Sequence, residues 1–136
     1  MIVEFDLSQY ELSDSATFTP KNARGDDELK GTDGQPVVFE VYSPGSPEGV
    51  KALHKSGRQA QMRMFRSMRG GFDPQDAVNA DRERAEKLAA FTKSVSPNFP
   101  VAPLAIYTNP RLCYLAAQVE EQIGKFGNFS KGSSAD

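Results

Sequence analysis

The chain has no tryptophan, one histidine and one cysteine among 136 residues. A lone cysteine excludes an intramolecular disulfide framework and any zinc site built from several thiolates. No window approaches the ~18 consecutive apolar residues of a membrane span. Met1–Tyr10 has neither the basic start nor the apolar run of a signal peptide. Eighteen acidic against sixteen basic side chains give a net charge of −2, without the basic excess of a dedicated nucleic-acid binder. The expectation is a soluble intracellular protein that engages neither membrane nor nucleic acid.

What is present suffices for one modest core. Nine Phe, four Tyr and four Met supply large apolar side chains, and the length suits one domain, since domains cluster near ~100–150 residues. Thr17-Phe18-Thr19 and Val37–Tyr42 are rich in β-branched and aromatic residues, and in the second Val37, Phe39 and Val41 share one face. Between them lie the turn formers Asn22, Gly25, Asp26, Asp27, Gly31 and Asp33-Gly34, which predicts a hairpin with a long connection. Two strands are marginal in water, so the hairpin needs a helix or a further strand against it. Ile2, Val3, Phe5, Leu7 and Tyr10 alternate too imperfectly to assign.

Ser46-Pro47 pairs an N-cap with a proline suited to the first helical position. It opens a helix to Arg69, closed by Gly70-Gly71 and weakened at Gly49 and Gly57 by roughly 1 kcal/mol each relative to Ala. Val50, Leu53, Gly57, Ala60, Met64 and Met68 recur at helical spacing with Phe65 beside them. That stripe reads as core, with Met64 and Met68 inside and Met62 pointing away as an exposed contact. Asp73-Pro74 opens a second helix to Ser94, using Ala77, Ala85, Leu88, Ala89 and Phe91, half exposed because Asp81–Arg84 is polar. Pro97, Pro100 and Pro103 break the chain before a single turn at Leu104–Tyr107. Asn109-Pro110 starts a third long helix with Leu112, Leu115, Ala116, Val119, Ile123 and Phe126 inward, closed by Gly127-Asn128. The expected fold is α+β, mostly α: one domain over 1–129, β-rich to 45 and helical from 46, in which an N-terminal hairpin packs on about three helices. Residues 130–136 read as a disordered tail.

The residues show no chemistry of catalysis. His54 sits beside Lys51 and Lys55 as a surface side chain, and Cys113 reads as a small, semi-buried packing residue. Asp26-Asp27-Glu28 lacks the alternating spacing of a calcium loop, and no glycine pattern cradles a phosphate. The expectation is no enzyme and no cofactor. Charge, however, is unevenly placed. The first long helix carries Lys51, Lys55, Arg58, Arg63, Arg66 and Arg69 against Glu48, which is +5, so the remainder of the chain carries −7 to reach −2. Such a split suits an acidic partner or a self-complementary contact, and equally a plain solvated face. Lys55, Arg58, Met62, Arg63 and Arg66 are the candidate partner-binding residues, and exposed apolar surface beside them would invite homo-oligomers.

Three segments resemble the tail assembly chaperones of long-tailed bacteriophages. The first is Asp33-Gly34-Gln35-Pro36 leading through Val37–Tyr42 and Ser43-Pro44-Gly45-Ser46 into the basic helix. The second runs from Leu88 to Phe99, ending in an Asn-Phe-Pro turn. The third, the most specific, is Tyr107-Thr108-Asn109-Pro110-Arg111-Leu112 through Gln118-Val119-Glu120 to Gly127-Asn128-Phe129. Where family members commonly place a tryptophan, this chain has Phe91 and Tyr114 as stand-ins. The resemblance spans roughly residues 14–132 and implies a non-enzymatic protein. Such a protein binds the long, hydrophobic tape measure protein in the host cytoplasm, keeps it soluble while tube subunits polymerise around it, and is absent from the mature virion. It also implies a longer frameshifted product that recruits the tail tube protein, with Ser130–Asp136 as the unshifted ending. A structural tail or head-completion protein, and a small phage protein that binds a host factor, are the competing expectations.

Overall fold

The structure is a computed structural model that describes residues 10–71 and 74–130. The α+β, mostly helical expectation is met. Strands β1 (Ser15–Phe18) and β2 (Phe39–Tyr42) pair antiparallel, with Ser15 opposite Tyr42 and Phe18 opposite Phe39. A third strand, β3 (Thr92–Val95), completes the sheet on the other edge of β2. The second long helix was expected to run to Ser94, yet it stops at Phe91. Thr92 and Val95 are β-branched, and the free edge of β2 offers them a ladder. Thr92 Oγ1 also bonds the Leu88 carbonyl at 2.8 Å and meets the Tyr107 hydroxyl at 2.5 Å. The hairpin thus obtains its third strand.

Among the described residues four α-helices follow or flank the sheet: α1 (Pro47–Gly70), α2 (Pro74–Phe91), α3 (Pro103–Tyr107) and α4 (Cys113–Gly124). Ser46 caps α1 as expected, its Oγ accepting from Gly49 N at 2.9 Å. At the other end Gly71 takes a φ of +76°, a conformation that favours glycine. The cap expected at Asp73 lies outside the described residues, as do Ile2, Val3, Phe5 and Leu7. Asn109 caps a single 3-10 turn, Pro110–Leu112, from which α4 continues.

The core lies between the inner face of the sheet and the helices. Val37, Phe39 and Val41 fill one side, as their alternation predicts, and meet Ala85 and Leu88 of α2, Ile106 and Tyr107 of α3, and Leu115, Ala116 and Val119 of α4. The C-terminal end differs from expectation. Helix α4 stops at Gly124, and a 3-10 turn over Phe126–Phe129 changes the rotation of the chain. Phe126 is left 63% exposed, and Phe129 is fully buried instead. Ser130, expected to start the tail, pairs with Leu12 in an antiparallel bridge; residues 131–136 lie outside the described residues.

Side chains from the three motif segments tie the loops to this core. Asn98 Nδ2 donates to Asp33 Oδ1 at 3.0 Å and to the carbonyls of Gln35 and Pro36. That bond, with the Gln35 N–H, holds the exposed Asp33 carboxyl below the usual carboxylate range. Gln118 of α4 clasps the loop after β1, accepting from Lys21 N at 2.6 Å and donating to Lys21 O at 3.0 Å. Tyr107 is buried against Thr92, and burial pushes its phenol up to about 12.

This burial has a consequence at high pH. A tyrosine held protonated in the fold but free to ionise near 10 when unfolded contributes stability that is whole below pH 10 and lost as pH rises through about 12. Two pH units correspond to roughly 2–3 kcal/mol. The chain should therefore lose about that much more stability between pH 9 and 12 than Tyr107→Phe does, measured by urea unfolding at each pH. Parallel pH profiles would show that Tyr107 ionises freely in the folded protein.

Candidate functional surface

Helix α1 stands apart from the core. None of its side chains belongs to the main apolar cluster, and α2 is the one element against which it packs extensively. The two form an antiparallel helical hairpin across the Gly70-Gly71 turn. Only Gly49 and Ala52 of α1 are buried, both in its first two turns. The buried residues of α2, Ala85, Leu88 and Phe91, all lie in its second half. The distal part of the hairpin therefore has no buried apolar side chain among the described residues.

Ion pairs hold that distal part. Arg63 pairs with Glu83, Arg66 Nη2 lies 3.7 Å from Asp76 Oδ1, and Lys55 Nζ lies 3.9 Å from Glu86 Oε2. Three of the five candidate residues thus face acids of α2 within the same chain, so much of the basic excess is neutralised internally. Arg63 and Glu83 are the most enclosed of these pairs. Exposed pairs contribute little, typically under ~1 kcal/mol each. Arg58 is exposed and makes no ion pair among the described residues, and neither does Lys51 or Arg69.

The apolar stripe of α1 is not core. Met62, as expected, is exposed, but so are Met64, Phe65 and Met68, with Met68 at 77%. Val50 and Leu53 continue the stripe toward the N-terminus and are also exposed. The physical reason is that α1 meets α2 through a small and polar side, Ala52, Ser56, Gln59 and Arg63, while Gly49 abuts the Ser43–Ser46 turn. Close helix approach over Ala52 and Ser56 needs no large side chains, and the Arg63–Glu83 pair fixes that side inward. One signal could have pointed to it: Asp76 and Glu83 follow the Gly70-Gly71 helix end in the sequence, where a returning helix brings acids opposite Arg63 and Arg66.

Two open grooves flank α2. One, of about 530 Å³, is lined by Lys55, Arg58, Met62, Phe65, Arg66 and Glu83 and so brings four of the five candidate residues together. The other, of about 730 Å³, lies between α2 and the α3–α4 segment and includes Val78, Arg84, Leu104, Asn109 and Cys113. Cys113, expected to be semi-buried, is exposed at the first position of α4. His54 is exposed on α1, as expected. Among the described residues no three His, Cys, Asp or Glu side chains converge to hold a metal ion, and no helix is long and apolar enough to cross a membrane. No family model matches the chain, and no curated protein and no solved structure matches it.

Proposed function

We propose that this chain is a non-enzymatic assembly chaperone of a long-tailed bacteriophage that binds the tape measure protein in the host cytoplasm and keeps it soluble during tail tube assembly. The observation that carries the reading is the exposed row Met62, Met64, Phe65 and Met68 on a helix that contributes nothing to the main core. Methionine side chains repack at little cost and suit a surface that must accept many apolar sequences in turn. An exposed apolar patch of this kind on a folded body is the mark of an interaction site. The motif segments that resemble the chaperone family support the reading from the other side, since they form the scaffold that presents α1.

The test is co-expression with the cognate tape measure protein. The wild-type chain should convert that client from insoluble to soluble, and the two should co-elute. Met64→Ser, Phe65→Ser and Met68→Ser together should abolish solubilisation while leaving the fold intact, because exposed substitutions usually change stability by under ~0.5 kcal/mol each. A client that stays insoluble with the wild-type chain would end this reading. Presence of the chain in purified virions would favour a structural tail protein instead.

A further inference from the structure

The solvent side of α1 is divided lengthwise. At 3.6 residues per turn, Val50, Leu53, Gly57, Ala60, Met64 and Met68 fall within roughly a quarter of the circumference. Their spacing from 50 to 64 alternates three and four residues, the pattern by which two helices pack along a common seam. Gly57 and Ala60 stand at its centre, and, the backbone of its own helix and its two chain neighbours aside, no described atom lies within 4 Å of where a Cβ on Gly57 would be. A second helix can therefore approach the backbone closely there, with Val50 and Leu53 at one end of the seam and Met64 and Met68 at the other. Beyond Phe65, on one side only, Lys51, Arg58 and Arg69 form a row. They are the cations of α1 that α2 leaves without an ion pair among the described residues.

Charge selects the occupant. A second copy of α1 would bring the same three cations to the seam, and in an antiparallel pair the two rows would lie along one groove and repel. We propose that α1 docks an amphipathic helix whose apolar seam is bordered along one edge by a row of Asp or Glu, the acids meeting Lys51, Arg58 and Arg69. In naming the tape measure protein as the source of that helix, the inference rests on the function proposed above.

Two labelled synthetic peptides of about 21 residues, long enough to cover the seam at 1.5 Å per residue, test it with the full chain. They share one Leu/Met/Ala seam and differ in carrying Glu or Lys along one edge. By fluorescence anisotropy at low salt the Glu-edged peptide should bind about tenfold more tightly, and the difference should collapse in high salt. Lys51→Glu, Arg58→Glu and Arg69→Glu together should reverse the preference. Equal binding of the two peptides, or a preference unchanged in the triple variant, overturns the inference. So does binding that emerges only when residues 1–9 are removed, or a dimer that Leu53→Glu dissociates, since the face would then belong to that segment or to a second copy. Co-expression separates the two readings. No edge preference with a soluble tape measure protein ends this inference and leaves the function; a clear preference with an insoluble one ends the function, keeps the acid-edged helix as the occupant and removes the tape measure protein as its source.

Discussion

Phe129→Ala will lower stability by about 3–5 kcal/mol, the usual cost of emptying a fully buried phenylalanine site. Phe126→Ala, three residues earlier, will change it by less than ~0.5 kcal/mol. Phe129 is wholly enclosed, and Phe126 is 63% exposed. The backbone beside that ring also closes the two ends of the described chain: Ser13 N donates to the Phe129 carbonyl at 2.6 Å, and Leu12 bridges to Ser130. Ending the chain after Asn128 removes ring and bridge together and should cost at least as much as the point substitution. Urea unfolding of the three variants checks this. Equal midpoints for Phe126→Ala and Phe129→Ala would put the end of the core elsewhere.

Gly49→Ala and Gly57→Ala make the same change in the same helix, and they should have opposite signs. By helix propensity alone each gains up to ~1 kcal/mol. At Gly57 nothing opposes the gain, because the position is open. At Gly49 the added methyl would fall on the backbone carbonyl of Ser43 and 3.0 Å from Ser46 Oγ. That carbonyl already accepts from Ser46 N at 3.1 Å and from Ser46 Oγ at 2.8 Å. It cannot retreat without dismantling the cap of α1. Overpacking with loss of the cap should cost roughly 2–4 kcal/mol. Thermal melts that move in the same direction for both variants would show that the Ser43–Ser46 turn yields freely.

Much of this fold was legible in the sequence, for identifiable reasons. The Ser46-Pro47 and Asn109-Pro110 starts were readable because capping is local chemistry that tertiary context seldom overrides. The alternation of Val37, Phe39 and Val41 likewise named its own buried face. The end of α2 was not legible, because Thr92–Val95 becomes a strand only when the edge of β2, some fifty positions earlier, is there to pair with it. The exchange of Phe126 for Phe129 depends on one 3-10 turn, and an error of a fraction of a turn moves a whole ring between core and solvent. At the candidate surface the five residues were correctly placed on one helix, but periodicity could not say which side of α1 faces inward. A stripe of apolar residues marks a contact, and the same stripe serves a core or a partner. What decided the matter was the pairing of Arg63 with Glu83, a relation between two helices that no single helix displays.

The separation of α1 from the main cluster has an evolutionary side. In a protein whose binding residues are also its packing residues, each adjustment to a partner is filtered by its effect on folding. Here Val37, Phe39, Leu88, Leu115 and Phe129 keep the body together, and Arg58, Met62, Met64 and Met68 have little part in that task. The outer side of α1 can change one substitution at a time with little effect on folding, while the scaffold beneath it stays under an unrelated constraint. Lineages descended from such a chain would diverge fastest along one side of one helix, and the boundary between its variable and invariant sides would trace the line where α1 meets α2.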